Sequence, residues 1–204
     1  MRLFVILPTW MCAGLVLGGC VPVLHSPGGA DSSCGSYEAP ENAWPQAAEV
    51  PAELCGTGWA EGDVLGDARL VDQHGQELSL WQFYGDIVVL DISTQWCGPC
   101  QALAAGVQAT ADDYRDQGVE YVTILVEDLD GNATDETDLN AWADYYGIAE
   151  PVVSDTANIS PLMLPGNGYP GVFIVDRTMV NLGQVTIPQT GQDEAVRAAI
   201  DAAL

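Results

Sequence analysis

Cys97 and Cys100 stand two residues apart in "STQWCGPC", residues 93–100. Taken alone, that spacing fits a reversible dithiol–disulfide couple, half of a thiolate metal site, or a structural staple. A zinc site of this kind needs a second such pair, and the sequence has none; its two histidines, His25 and His74, both lie upstream. The sequence context favours the redox couple. The pair follows "IVVLDIS" (Ile87–Ser93), an apolar, β-branched run that reads as a strand buried on both faces. It opens "GPCQALAAGVQATADDYRDQG", which reads as a helix closed by Gly118. A cysteine at a helix start sits among unpaired backbone N–H groups at the positive end of the macrodipole, and both favour the thiolate. Cys97 is therefore expected to have a lowered pKa and to act as the nucleophile. Cys100, one turn on and on the same helix face, is expected to be more buried and to resolve the mixed disulfide. Gly98 leaves room for another backbone, and Pro99 fixes φ where no N–H partner is needed. Trp96 offers a flat apolar surface beside the reactive sulfur. Asp91, six residues before Cys97, is an acid inside an apolar strand, so burial is expected to raise its pKa.

The elements that must position these residues begin near residue 60. "ARLVDQHGQELSL" is two short runs around His74-Gly75, a hairpin pattern. After the Cys97 helix come a second buried strand, "VEYVTILVED", and a second helix, "TDLNAWADYYG", with Thr137 as the expected N-cap and Gly147 after its last turn. "PVVSD" reads as a short strand, "GVFIVD" and "NLGQVTI" as an antiparallel pair, and "GQDEAVRAAIDAAL" as a final amphipathic helix. Alternating strands and helices predict an α/β fold, a central mixed β-sheet flanked by helices, over residues 60–204.

The 204-residue chain carries five Arg, no Lys and 29 acidic residues, for a formal charge of −24. Such a surface repels nucleic acid and anionic lipid headgroups, and it keeps a protein soluble. "DLDGNATDETD" (Asp128–Asp138) is rich in oxygen ligands, but Gly131 is misplaced for a calcium loop, and the stretch reads as a solvated acidic loop. No metal or other cofactor is expected.

Residues 1–19 are not fold. Arg2 is followed by "LFVILPTWMCAGLVL", an apolar stretch too short for a comfortable membrane span and interrupted by Pro8. "LGGC" (Leu17–Cys20) resembles a bacterial lipobox, which implies cleavage and lipidation at Cys20; an ordinary secretory signal cut near Ala30 is the alternative. Both export the chain, the first to the bacterial cell envelope as a lipid-anchored protein facing the periplasm or exterior. Residues 20–59, rich in Pro, Gly, Ser and acid, are expected to be a flexible tether, with Trp44 and Trp59 able to pin parts of it. With Cys12 lost in the signal and Cys20 lipidated, Cys34 and Cys55 remain outside the motif, and an oxidising compartment favours a disulfide clip between them.

"WCGPC" between a buried strand and a helix resembles the thioredoxin active site, with "VVLD" before it and "YPGVFIVD" after it. The hairpin and the extra helix–strand are similar to the TlpA and alkyl-hydroperoxide-reductase-related branch. The resemblance implies a thioredoxin-like fold with an N-terminal β-hairpin extension. It also implies that Asp91 moves the proton to and from Cys100, and that Pro170 is a cis proline facing the cysteines. The backbone of Tyr169 would then pair with an extended substrate. Relatives carry a smaller residue at position 169 and Thr or another residue at 171. Trp96, Gly98, Pro99, Tyr169 and Pro170 are thus the expected substrate-binding residues. The implied partners are exported protein thiols or disulfides and a membrane or periplasmic electron donor, and Gly-Pro between the cysteines leans toward a reductant. Two alternatives remain. Thr94 and Cys97 match the TxxC half of a peroxidase motif, although Leu90 stands where that motif has proline. The other is a lipid-anchored binding module that does no chemistry.

Overall fold

The computed structural model describes Cys34, residues 37–166 and residues 168–204. The expected signal segment 1–19 and the lipidation site Cys20 lie outside the described residues. In chain order the elements are β1 (Arg69–Asp72), β2 (Glu77–Ser79), a 3-10 turn (Leu80–Phe83), β3 (Ile87–Ser93) and α1 (Gly98–Tyr114). Then come β4 (Val119–Leu125), α2 (Glu136–Tyr146), β5 (Val152–Ser154), α3 (Ser160–Met163), β6 (Gly171–Val175), β7 (Asn181–Val185) and α4 (Gln192–Ala203).

The strands form one seven-stranded mixed sheet in the order β2-β1-β5-β4-β3-β6-β7. β3, β4 and β5 are parallel, and the remaining neighbours are antiparallel. This is the α/β, thioredoxin-like architecture with its N-terminal hairpin added at the β5 edge. All residues of β3 and β4 are buried, as near-continuous apolar runs between two covered faces require. Strand alternation divides them. Ile87 and Val89 face a core with Leu103 and Val107 of α1, Trp142 of α2 and Val196 and Ile200 of α4. Val88, Leu90 and Ile92 face the opposite core, which the 3-10 turn, Ile159, Met163 and the N-terminal segment cover.

That N-terminal segment departs from the flexible tether expected up to residue 59. Tyr37, Trp44, Leu54 and Trp59 pack on the second core, and Val50 is buried. The Trp44 indole donates to Asp72 at 2.6 Å and stacks on His74, while the Asn42 side chain donates to the Glu77 carbonyl at 2.7 Å. A disulfide joins Cys34 to Cys55. The physical reason is area: each large apolar side chain laid on a sheet face gains roughly 1.5–3 kcal/mol, enough to order an irregular strap. Composition shows that such a segment has no regular structure, but it does not show that the segment is loose.

A second departure concerns α2. Its N-cap is Asp135 rather than Thr137: the Asp135 carboxylate accepts from the Thr137 and Asp138 amides, and Asp138 reaches back to the Asp135 amide. This reciprocal capping box starts the helix earlier, and Gly147 in the left-handed region (φ 69°) ends it. The short α3 and the 3-10 turn were not expected from the sequence.

Candidate active site

Cys97 is the N-cap of α1, with extended backbone (φ −81°, ψ 110°), and Pro99 occupies the first turn. The Cys97 sulfur accepts from the Cys100 amide at 3.3 Å, the donor geometry that stabilises negative charge on it. The two cysteines are joined in a disulfide. Cys97 retains 5% exposure and Cys100 none, so Cys97 is the outer sulfur. A Cβ added at Gly98 would meet no atom within 4 Å, which leaves the approach to Cys97 open.

The motif is held by the end of β4 and the loop after it. Gln95 donates its amide to the Glu127 carbonyl at 2.9 Å, Val126 donates to the Ser93 carbonyl, and the Gln95 side chain donates to the Asp138 carbonyl. Trp96 is 48% exposed, and its indole N–H donates to Glu127 Oε2 at 2.7 Å. Its ring meets Tyr169 edge-on at 6.0 Å. The Tyr169–Pro170 bond is cis, and β6 follows it. The pairing of Ile92 with Gly171 sets this turn at the same end of the sheet as the motif. A Cβ at Gly171 would collide with the Leu164 side chain as it stands, so the packing here suits glycine.

Asp91 lies on β3 with no exposed surface. By alternation from Ile87 and Val89 it faces the helix-side core that also holds Cys97 and Cys100. Its Oδ1 accepts from the Ser93 hydroxyl at 2.6 Å, and its Oδ2 has no partner. Burial pushes its carboxyl up to about 7, with the Ser93 hydrogen bond pulling against the shift. Thr123 is its direct neighbour in the β3–β4 register, and the Thr123 hydroxyl is likewise buried and unpartnered. The Tyr121 phenol on the same face is raised well above its usual range by burial, reinforced by Asp91 and Asp193. An acid near neutral pKa below a helix-capped sulfur can hold or release a proton while the disulfide opens and closes.

The structure thus brings Cys97, Cys100, Trp96, Gly98, Pro99, Tyr169 and Pro170 to one end of the sheet, with Asp91 beneath. It sets Cys34 and Cys55 apart from them, where Gly56 packs against the backbone of Gly66. Four contributors were not found from the sequence: Ser93, Thr123, Glu127 and the wall formed by residues 184–192. Ser93, two residues after Asp91 on the same strand, was readable by alternation. The others depend on which distant segments pair, and no local pattern encodes that. Among the described residues, no group of three or more His, Cys, Asp or Glu side chains is arranged to hold a metal ion.

The profile of the AhpC/TSA family matches residues 62–180. No curated protein matches the chain. Among solved structures, the chain is similar to the thiol:disulfide interchange protein DsbE from Chlorobium tepidum, with 23% identity, a TM-score of 0.58, and coverage of 72% of this chain and 96% of that one. It is also similar to a thiol:disulfide interchange protein from Bacteroides sp., with 17% identity, a TM-score of 0.56, and coverage of 71% and 90%. A secreted Mycobacterium tuberculosis disulfide oxidoreductase homologous to E. coli DsbE gives 17% identity, a TM-score of 0.51, and coverage of 65% and 96%. At these identities the likeness carries the fold, and the profile match carries the family. The chain belongs to the AhpC/TSA family, with the thioredoxin-like fold and the disulfide-bonded Cys-Gly-Pro-Cys pair of a thiol–disulfide oxidoreductase.

Proposed function

We propose that this oxidoreductase works in the bacterial cell envelope, anchored by lipid at Cys20, and reduces disulfides in exported proteins. In the reduced state the Cys97 thiolate attacks a substrate disulfide, a Cys97–substrate bond forms, and one substrate sulfur leaves as a thiolate that takes a proton from water. Cys100 then passes its proton to Asp91 and attacks the Cys97 sulfur. The second substrate sulfur is released, and the Cys97–Cys100 disulfide remains. Two electrons have moved to the substrate, and a donor in the membrane or periplasm must return two to the protein. Trp96, Gly98 and Pro99 shape the approach, and Tyr169–Pro170 presents the backbone against which an extended substrate lies. Cys34–Cys55 is a structural clip.

The observation that carries this reading is the helix-capping position of Cys97, disulfide-bonded to Cys100 above a buried acid. Insulin reduction tests it: the native protein should turn over and Cys97→Ser should not. Cys100→Ser should accumulate a mixed disulfide on Cys97, and its captured partner identifies the client. Among the described residues no helix is long and apolar enough to cross a membrane, so the anchor is proposed on the "LGGC" motif alone. Mass spectrometry of the protein from membranes should find diacylglycerol at Cys20. An unlipidated N-terminus beyond Cys20 would replace the anchor with ordinary secretion.

A further inference from the structure

One wall of the opening beside Cys97 takes no part in the exchange chemistry. A groove of ≈ 410 Å³ runs between Pro99, Tyr169 and Pro170 on one side and Gln184–Gln189 with Gln192 on the other. That volume lies within the ~300–1,000 Å³ typical of ligand clefts. None of its lining residues is charged, in a chain with 29 acidic residues. The exposed side chains of Gln184, Thr186 and Gln189 enter no hydrogen bond among the described residues, so their donors and acceptors are free for a ligand.

The backbone of this wall is equally open. β7 is the terminal strand of the sheet. Its start is closed by Gly62 and Asp63, which exchange hydrogen bonds with Asn181 at 2.8 and 2.9 Å. Beyond that point, residues 184–187 have no strand on their outer side among the described residues. They keep a strand's alternation two residues past the end of β7: Val185 and Ile187 pack toward the helix-side core, and Gln184 and Thr186 are exposed. A side-chain amide both donates and accepts, as a peptide group does, and it cannot neutralise an ionised side chain. An ion pressed against such a wall would exchange water for a few neutral dipoles and find no counter-charge to offset its lost hydration.

The surroundings carry the opposite message. Glu127 holds Trp96 on one side, and the exposed Glu194, whose carboxylate lies by Gly191 next to Gln192, stands on the other. The four arginines among the described residues are all committed elsewhere. Arg69 binds Asp67 and Glu77, Arg115 binds Asp112 and Glu150, and Arg197 binds Asp113 and Asp193. Arg177 caps the carbonyls of Gly85 and Gln117. The groove is neutral and its rim is acidic.

We propose that this groove selects, among disulfide-bonded polypeptides, an extended segment that is uncharged beside its cysteine and basic at its flanks. The proposal rests on the exchange reading above and names the substrate class of the same site. The test uses the reduced full chain and short synthetic peptides, each with one cysteine as a mixed disulfide to thiopyridine, whose release is followed by absorbance. With an uncharged core, Lys flanks should react about threefold faster than Ser flanks, and Ser flanks about threefold faster than Glu flanks, at low salt. Those differences should collapse at high salt. A Glu beside the cysteine should slow the reaction about tenfold at any salt. Gln184→Glu with Gln189→Glu should slow the uncharged-core peptide and accelerate one with Lys beside its cysteine. Rates that stay within twofold across the peptides, while hydroxyethyl disulfide is reduced normally, overturn the groove proposal and leave the exchange reading standing. A Cys97→Ser protein that reduces all these substrates as fast as the native chain overturns the exchange reading itself.

Discussion

The two disulfides of this molecule share a bond and little else. Cys34–Cys55 joins residues 21 apart, with Cys34 exposed and Cys55 outside any helix or strand. Cys97–Cys100 closes a separation of three residues at the N-terminus of α1, buried, beside a groove that Pro99 lines and in the core that Asp91 faces. The first bond closes a loop within the N-terminal segment, ahead of the first strand. The second sits at a helix N-terminus, where in the proposed mechanism backbone dipoles stabilise the Cys97 thiolate and Asp91 takes the proton of Cys100. Reactivity therefore belongs to the elements around a cysteine pair, and each of those elements can be removed in turn.

The largest effect expected is from Cys97→Ser, which should abolish insulin reduction, whereas Cys34→Ser with Cys55→Ser should leave the turnover rate within about twofold. Asp91→Asn comes next. Because burial raises the folded-state pKa of Asp91 to about 7 from 3.8, the folded state holds its proton more tightly than the unfolded chain does. That contribution is fully present below about pH 4 and is lost as the pH rises to about 7, a difference on the order of 4 kcal/mol. In urea titrations Asp91→Asn should therefore gain stability over the native chain above pH 7 and match it below pH 4. Its single-turnover resolving step should also slow near neutral pH, and unchanged rates would remove its proton-transfer role. Losing the Cys34–Cys55 clip should cost roughly 3 kcal/mol of stability in the same titrations. The smallest effect lies outside both disulfides: Asp135→Ala removes the α2 cap and should cost about 1 kcal/mol, with no change in exchange rate.

Much of this comparison was legible in the sequence, and its limits are physical. The strand before Cys97 and the helix after it were readable because hydrophobic periodicity and glycine stops are local signals. Asp91 stood out because a carboxylate in a run such as "IVVLDIS" is costly wherever the strand ends up. Thr123 could not be found the same way, since only the register Asp91 to Thr123 makes it a neighbour. Glu127 reads as one more acid in an acidic chain until the loop after β4 folds over Trp96. The strap over residues 37–59 misled for a related reason. Its Pro and Gly residues describe an irregular backbone, and its order comes from Trp44, Trp59 and their neighbours lying on the sheet.

The central claim is that position at a helix N-terminus makes Cys97 the reactive sulfur and leaves Cys34 and Cys55 inert as structure. Alkylation of the fully reduced native chain across a pH series, resolved by residue with mass spectrometry, tests it directly. Cys97 should react fastest of the four described cysteines, with a midpoint well below the ~8.5 of a free thiol. A Cys97 midpoint at or above that value, or faster labelling of Cys34 or Cys55 at neutral pH, would contradict it.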